Sequence, residues 1–222
     1  MCIRDSDYGD TIAFSGRVFT PENKLAKYVN SPETLIFKKS NVFFGLNKSK
    51  RSIAKNESVI ICEGQLDLIR CFENGIENVV APLGTALTEK HVNLLKRFTG
   101  DKGEAILCFD SDLAGYKASL RAYEEISKTG IYTRVVTLPE TSDPDLLITT
   151  HGAEKFIELA NSAKAFHDYQ IESLSNHLDL NNPRDKVQFA NELSITVGQV
   201  KDPIARDLSL IHISEPTRQF AI

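Results

Sequence analysis

The stretch Ala105-Ile-Leu-Cys-Phe-Asp-Ser-Asp-Leu-Ala-Gly115 decides the fold of this chain. It begins with a short, continuous apolar run, which is typical of a strand buried on both faces of a parallel sheet. Two carboxylates, Asp110 and Asp112, follow the run directly. Ligands of open α/β sheets bind beyond the carboxyl ends of such strands, and paired carboxylates there favour a hard divalent cation. An isolated pair is more often a solvated turn, so the rest of the chain must decide between the two.

Apolar strands and amphipathic helices alternate from residue 57 onward. Strands are predicted at 59–62, 79–81, 105–109 and 132–138, and helices between them at 66–73, 88–98 and 113–128. Strands joined by helices of this length predict a parallel sheet with right-handed crossovers. After Pro139 the pattern predicts only helices, at 145–150, 153–162, 165–178 and 184–200, with one more opening at Asp202-Pro203.

Carboxylates follow three of the predicted strands. They are Glu63 and Asp67 after the first strand, Asp110 and Asp112 after the third, and Asp143 and Asp145 after the fourth. Because parallel strands bring their carboxyl ends to one edge of the sheet, these side chains are expected to converge and to hold a divalent metal. Gly115 stands at the start of a predicted helix, where glycine costs about 1 kcal/mol relative to alanine. This placement indicates a close approach of the backbone.

A basic segment precedes the predicted sheet, although the formal net charge is -4. Nine basic residues and two acidic ones lie between residues 16 and 55. Cations for phosphates beside carboxylates for metals are typical of an enzyme that handles polyanions. A lysine-rich solvated face is an equally good interpretation of the segment taken alone.

The cysteines and the apolar runs exclude several other classes of protein. Cys2, Cys62, Cys71 and Cys108 form no CxxC pair, which argues against a zinc module. We expect Cys62 and Cys108 to be buried as small hydrophobic residues, which suits a reducing, cytoplasmic setting. No apolar run approaches the roughly 20 residues of a membrane span, and no signal peptide is visible.

The acidic motifs resemble those of a known fold family. Glu63-Gly-Gln-Leu-Asp67 followed by Asp110-Ser-Asp112 on a four-stranded α/β unit resembles a Toprim domain. Further motifs narrow the resemblance to bacterial DnaG-type primases: Gly16-Arg17-Val18, Lys27-Tyr28, Ser31-Pro-Glu-Thr34, Phe44-Gly45-Leu46, Leu83-Gly-Thr85, Asp143-Pro-Asp-Leu146 and Asp202-Pro-Ile-Ala-Arg-Asp-Leu208. One departure is Gln65, where many members of the family carry tyrosine.

The resemblance implies a fold and a domain order. The expected fold is α/β: a Toprim-type parallel four-stranded sheet with helices on both faces, preceded by part of a small α+β subdomain and followed by a helical subdomain. We expect the N-terminal basic subdomain of the primase core at 9–56, the Toprim domain at 57–139 and the C-terminal helical subdomain at 140–208. Residues 1–8 and 209–222 resemble translated sequencing-adaptor sequence, so we expect a non-native leader and tail there and leave both out of the predicted fold.

The resemblance also implies roles for individual residues. The expected catalytic residues are Glu63, Asp67, Asp110 and Asp112. The expected ligands of Mg²⁺ or Mn²⁺ are Glu63, Asp110, Asp112, Asp143 and Asp145. The expected contacts to nucleic acid and nucleotide are Arg17, Lys27, Tyr28, Asn30 and Lys39. No zinc is expected in this chain.

The implied function is that of a primase, a DNA-dependent RNA polymerase that makes short RNA primers on single-stranded DNA for replication by metal-dependent nucleotidyl transfer. The implied partners are the template, nucleoside triphosphates, the RNA primer and a replicative helicase, although we expect the helicase-docking domain to be absent here. No membrane partner is expected, and the implied location is the replisome in the bacterial cytoplasm. The alternatives are phosphodiester cleavage of the Toprim nuclease or topoisomerase kind, and a non-catalytic fragment that binds single-stranded DNA. A topoisomerase would also need a nucleophilic tyrosine on a further domain.

Overall fold

The structure is a computed structural model that describes residues 2–17, 28–139, 142–200 and 206–207. Its first unit is a three-stranded antiparallel sheet of β1 (Cys2–Asp5), β2 (Thr11–Arg17) and β3 (Tyr28–Asn30), with β2 in the centre. Arg4 of β1 is buried, at 3% exposure. We left residues 1–8 out of the predicted fold, and Cys2–Asp5 among them form a strand of this sheet. The non-native origin of residues 1–8 stays a prediction. The expected tail at 209–222 lies outside the described residues.

A helix joins this sheet to the rest of the chain. A short 3-10 helix, Lys39–Asn41, precedes α1 (Leu46–Asn56). Leu46 and Ile53 bury one face of α1. These apolar residues stand in an otherwise lysine-rich segment, so packing against the core holds the helix in place.

The central sheet contains the predicted parallel strands. They are β4 (Ser58–Cys62), β5 (Val79–Val80), β6 (Glu104–Cys108) and β7 (Tyr132–Val135), in the order β5-β4-β6-β7. A fifth strand, β8 (Lys164–Ala165), pairs antiparallel with β7. The sequence did not predict β8, because two residues carry no periodic signal. The four-stranded parallel sheet itself is confirmed.

Helices cover both faces of the central sheet, as predicted. The crossover helices are α2 (Gln65–Glu73), α3 (Glu89–Thr99) and α4 (Leu113–Ile126). Ile61 and Leu107 pack with residues of α1, α3 and α4 in one buried cluster. Ile60 and Ile106, their strand neighbours, pack with α2 on the opposite face. Alternate residues of a strand point to opposite faces, so each strand stabilises two layers at once.

The last third is helical. It comprises α5 (Pro144–His151), α6 (Ala153–Asn161), α7 (Phe166–His177) and α8 (Pro183–Gly198). The helix predicted at 165–178 thus begins one residue later, after β8. The helix predicted to open at Asp202-Pro203 starts outside the described residues. Among the helices that the structure describes, none is long and apolar enough to cross a membrane.

Candidate metal centre

The ends of β4 and β6 bring the first two acidic clusters together. The two strands are in parallel register, with Cys62 opposite Cys108, so Glu63 and Asp110 leave the sheet at neighbouring positions. Gly64 and Gln65 then turn the chain into α2, while Ser111 and Asp112 turn it into α4. The predicted convergence of carboxylates at this edge is thus reproduced for Glu63 and Asp110.

Glu63 is a half-buried carboxylate among like charges. Burial raises its pKa to about 7, and the negative charge of Asp110 is the next largest cause. A hydrogen bond from the backbone of Asp110 opposes this rise, and the charges of Asp112 and Asp67 add to it. The Oε1 atom of Glu63 is buried and has no hydrogen-bond partner among the described residues. A buried acceptor without a donor is costly, so this oxygen is suited to a cation.

Asp67 lies beneath the turn that follows Glu63. It is 9% exposed, and its Oδ2 accepts a hydrogen bond of 3.1 Å from the backbone N–H of Gly64. Burial and the charge of Asp143 raise its pKa to about 6, against the hydrogen bond from Gly64. Asp67 therefore fixes the Glu63–Gly64 turn and also links it electrostatically to the acidic cluster after β7.

Asp112 and Asp143 each begin a helix. Asp112 Oδ1 accepts a hydrogen bond of 2.8 Å from Gly115 N–H at the start of α4. Asp143 Oδ1 accepts one of 2.7 Å from Leu146 N–H at the start of α5. N-capping of this kind stabilises a helix by about 1 kcal/mol. The cap bond also holds each carboxylate in place through its Oδ1 atom, and the other carboxylate oxygen takes no part in that bond.

Asp145 has a basic partner that the sequence did not reveal. Its Oδ1 accepts a hydrogen bond of 2.6 Å from Arg70 Nε of α2, and both side chains are more than a third exposed. The pair joins α2 to α5 across 75 positions of sequence. Residues this far apart in the sequence share no local pattern, so the ion pair could be found only from the folded structure. Asp145 thus shares its charge with Arg70.

The donor set fits a hard cation, although its side chains do not enclose one. Among the described residues, no three His, Cys, Asp or Glu side chains are grouped so that they could hold an ion. The carboxylates are nevertheless close enough for Asp110 and Asp112 to raise the pKa of Glu63. Oxygen donors that repel one another are what Mg²⁺ or Mn²⁺ neutralises, and Mg²⁺ needs only one or two protein carboxylates beside its waters. The donors therefore have the chemistry of a divalent-cation site, while their spacing in this structure does not yet enclose an ion.

Three family models match this chain. The model described as "Toprim domain" matches residues 57–137, and the model described as "DNA primase catalytic core, N-terminal domain" matches residues 1–50. The model described as "DnaB-helicase binding domain of primase" matches residues 167–218.

Solved structures and curated proteins resemble the chain along nearly all its length. The RNA polymerase domain of Mycobacterium tuberculosis primase DnaG, in complex with double-stranded DNA, is 31% identical with a TM-score of 0.78, and the alignment covers 96% of this chain and 68% of that one. The chain belongs to the DnaG-type DNA primases. A DnaG primase catalytic domain bound to single-stranded DNA is also 31% identical, with a TM-score of 0.79, and the alignment covers 96% of this chain and 67% of that one. The DNA primase of Clostridium acetobutylicum is 35% identical over 213 residues, which are 95% of this chain and 34% of that protein. The chain thus spans about a third of the length of the curated primases that it matches.

One expectation is overturned by these matches. We expected the helicase-docking part of the primase family to be absent, yet residues 167–218 match the family model named for that part. Most of the matched segment is α7 and α8, which the sequence predicted only as generic helices. The spacing of apolar residues predicts a helix but not what the helix binds. The sequence pattern therefore could not distinguish a helicase-docking segment from a purely structural one.

The structure describes four of the five residues that we expected on the basic face of a primase. Arg17 and Tyr28 pair with each other along β2 and β3, as their backbones show. Asn30 of β3 lies opposite Ser15 of β2. Lys39 stands in the 3-10 helix, where its backbone N–H donates to Glu33 Oε1 at 2.9 Å. Lys27 lies outside the described residues.

A hydrogen-bonded chain links this face to the acidic turn, and the sequence did not predict it. Buried Arg4 donates from Nη2 to Ser15 Oγ at 2.7 Å, and Ser15 Oγ donates to Gln65 Oε1 at 3.3 Å. Gln65 stands between the carboxylates Glu63 and Asp67. The hydrogen bond from Ser15 thus joins Gln65 to the first sheet of the chain. Since Asn30 lies opposite Ser15, the paired strands β2 and β3 stand beside the proposed metal ligands.

Proposed function

We propose that this chain is the RNA-polymerising part of a primase, which makes short RNA primers on single-stranded DNA by metal-dependent nucleotidyl transfer. The observation that carries the proposal is the group of carboxylates at the sheet edge, where burial and mutual repulsion raise the pKa of Glu63 to about 7 and that of Asp67 to about 6. Perturbed carboxylates of this kind mark functional sites, and the chain's place among the DnaG-type primases gives the reaction.

In the proposed reaction, a primer 3′-hydroxyl attacks the α-phosphate of a nucleoside triphosphate, and pyrophosphate leaves. A bound divalent ion would lower the pKa of the hydroxyl and neutralise charge on the phosphoryl group. Glu63, Asp110 and Asp112 would hold it, with Asp143 and Asp145 for a second ion or for the metal that accompanies the nucleotide. Glu63 has a second possible role, because a carboxylate with a pKa near 7 is also able to accept the proton of the hydroxyl.

The surrounding residues keep this site in shape. Asp67 holds the Gly64 amide and thereby fixes the direction in which Glu63 leaves the sheet. Asp112 is fixed by its cap bond to Gly115. The proposed ligands therefore start from defined positions, which lowers the cost of assembling the metal site on binding.

The proposed partners follow from the family. A similar DnaG catalytic domain binds single-stranded DNA, and we propose the same template for this chain, held along the basic segment that includes Arg17, Lys27, Tyr28, Asn30 and Lys39. We propose that the segment at 167–218 contacts a replicative helicase, as the matching family model describes for primases. These partners would place the protein at the replisome in the bacterial cytoplasm.

The direct test is an incubation with single-stranded DNA, the four nucleoside triphosphates and Mg²⁺ or Mn²⁺. We expect short RNA products, and Asp110→Asn should abolish them while the protein stays folded. Asp101→Asn is the matched control, because Asp101 is 93% exposed in a turn remote from the sheet edge and should leave synthesis intact. Shortened DNA would instead indicate a Toprim nuclease, and the absence of both products would indicate a binding fragment. Near-normal RNA synthesis by Asp110→Asn would overturn the assignment of the site.

A further inference from the structure

The third acidic pair, Asp143 and Asp145, is not brought to the first cluster by the sheet alone. The pair follows β7, and β6 lies between β7 and β4. Neighbouring strands are about 4.8 Å apart, so the ends of β4 and β7 are separated by about 10 Å across the sheet. Burial raises the pKa of Asp67 after β4, and the charge of Asp143 is the next largest cause, so these two carboxylates lie close together. A contact outside the sheet must therefore join the two clusters.

That contact is made between α2 and α5. Asp67 and Arg70 are three residues apart and so lie on one face of α2. Both bind Asp145 in the first turn of α5. The backbone N–H of Asp145 donates to the Asp67 carboxylate, and Asp145 Oδ1 accepts the 2.6 Å hydrogen bond from Arg70 Nε. One face of α2 thus fixes both the backbone and the side chain of a single residue.

The ion pair between Arg70 and Asp145 is not what packs the two helices together. Leu68 of α2 and Leu147 of α5 are buried in one apolar cluster beneath it. Both charged side chains are more than a third exposed, and an exposed ion pair contributes little to stability. Arg70 is also held in place on its own helix, with Nη1 at 3.4 Å from Glu73 Oε2. Its main effect is therefore on the direction of the Asp145 carboxylate.

We propose that Arg70 is a positioning residue for the third acidic pair. It binds Oδ1 of Asp145 and leaves Oδ2, which takes no part in the ion pair, for a divalent cation. Partners of this kind orient the ligands of metal sites in proteins. The proposal rests on the proposed function for the presence of the metal. It adds to the acidic motifs a basic residue that acts through one of their carboxylates.

The sign of the effect on metal binding distinguishes positioning from charge alone. A guanidinium repels a nearby divalent cation, so removing an arginine that contributed only its charge would strengthen metal binding. Removing an arginine that orients a ligand weakens metal binding, typically by about 10–100-fold. An arginine with a purely structural role would change the unfolding temperature and leave the metal affinity as it is.

The test is a titration of the full chain with Mn²⁺, in which electron paramagnetic resonance measures the free ion. Arg70→Met should weaken Mn²⁺ binding by about tenfold or more. Arg97→Met is the matched control, because it removes the same charge from an exposed position in the last turn of α3, away from the contact of α2 with α5. It should change Mn²⁺ binding by less than about twofold, since exposed charges are largely screened beyond about 8 Å at physiological ionic strength. The unfolding temperature of each variant shows that the fold is kept.

A double variant shows whether Arg70 acts through Asp145. Asp145→Asn should itself weaken Mn²⁺ binding, because it removes a proposed ligand. In that background Arg70→Met should cause no further loss, since the carboxylate that Arg70 positions is gone. Additive losses in the double variant would mean that Arg70 acts by another route, and the positioning role would be wrong.

The inference is also overturned by an Arg70→Met protein that binds Mn²⁺ as tightly as Arg97→Met does, or more tightly, and by a wild-type protein that binds no Mn²⁺. Primer synthesis measured on the same samples keeps the two proposals separate. Active wild-type protein with unchanged Mn²⁺ binding in Arg70→Met would remove only the role of Arg70. Inactive wild-type protein whose Mn²⁺ binding depends on Arg70 would remove only the polymerase.

Discussion

Gly115 lies against the backbone of Asp110 so closely that no side chain fits between them. A Cβ atom on Gly115 would stand 2.0 Å from the carbonyl oxygen of Asp110 and 2.8 Å from its carbonyl carbon. The contact is between two backbone segments, so neither can move aside as a flexible side chain could. It sets the direction of the chain between β6 and α4, and therefore the position of Asp110 in the proposed metal centre.

Gly115→Ala should damage both the fold and the activity. The added methyl must displace Asp110, and overpacking of this kind costs about 1–3 kcal/mol of the free energy of unfolding. We expect RNA primer synthesis to fall at least tenfold, because a shift of about 1 Å in a catalytic group has effects of that size or larger. Urea denaturation and the primer assay measure the two effects.

Gly198→Ala is the matched control for this substitution. A Cβ at Gly198 meets nothing within 4 Å, at the end of α8. Alanine there should be neutral or stabilising by up to about 1 kcal/mol. Equal stability and activity in the two variants would show that the Gly115 contact does not constrain the site.

The pKa of Glu63 should make stability depend on pH in the absence of metal. Its pKa rises from 4.5 to about 7 on folding, so the folded protein binds more protons than the unfolded chain between these values. The free energy of unfolding therefore falls as pH rises through this window. Glu63→Gln removes the titrating group, and the variant should gain on the order of 1 kcal/mol over wild type at pH 8, a value reduced for solvent screening at a half-buried site.

Denaturant unfolding at pH 4.5 and at pH 8, with a chelator present, measures this difference. Glu73→Gln is a suitable control, because Glu73 is exposed at the end of α2 and pairs only weakly with Arg70 at 3.4 Å. Its stability should follow that of wild type at both pH values. A Glu63→Gln protein whose advantage is the same at both pH values would contradict the raised pKa.

Mg²⁺ should offset the loss of stability that the charged form of Glu63 causes at high pH. A cation among Glu63, Asp110 and Asp112 neutralises their repulsion, so it binds the folded protein better when the carboxylates are charged. We expect added Mg²⁺ to raise the unfolding temperature more at pH 8 than at pH 5.5, and less in Asp110→Asn than in wild type. Thermal unfolding with Mg²⁺ at the two pH values tests this, and an equal rise in both proteins would remove Asp110 from the metal site.

Strands and helices could be predicted where a short stretch of sequence carries an apolar run or a capping residue. The apolar run before Asp110 marked β6, and Thr88 marked the start of α3, where its side chain caps the N–H of His91 at 3.3 Å. The acidic residues at the sheet edge could be predicted because strand ends in a parallel sheet share one edge. The strand β1 was missed because its residues resemble adaptor sequence, which says nothing about how they pack.

The contacts that complete the site could not be predicted in this way. Arg70 and Asp145 lie 75 positions apart, and Ser15 and Gln65 lie 50 apart. Each contact depends on how helices and subdomains pack, and no single segment encodes that packing.

Burial of Arg4 should make Ser15 important for stability. The Nε and Nη1 atoms of Arg4 have no hydrogen-bond partner among the described residues, and burial lowers its pKa. Arg4 Nη2 donates a hydrogen bond to Ser15 Oγ, and the guanidinium carbon lies 4.8 Å from the centre of the Phe44 ring; both contacts favour the buried cation. Ser15→Ala should therefore cost about 1–3 kcal/mol of the free energy of unfolding, because it leaves a buried charged donor unpaired.

Arg4→Met in the Ser15→Ala background should restore most of that loss. An apolar side chain of similar length removes the unpaired charge, and such replacements of buried ions are often neutral or stabilising. Denaturant unfolding of the single and double variants gives the coupling energy. Ser194→Ala, at an exposed position of α8, controls for the loss of a hydroxyl. Additive losses in the double variant would show that Arg4 does not depend on Ser15.

The three cysteines beneath the acidic turn should be unreactive in the folded protein. Cys62, Cys71 and Cys108 are completely buried, whereas Cys2 is only partly buried. Hydrogen bonding and burial also raise the pKa of Cys62 and of Cys71, and the thiol form that results is a poor nucleophile. Iodoacetamide followed by peptide mass spectrometry should therefore label Cys2 alone in native protein and all four cysteines in denaturant. Native labelling of Cys62 or Cys108 would mean that the sheet beneath Glu63 and Asp110 opens, and the fixed positions proposed for these two ligands would then be wrong.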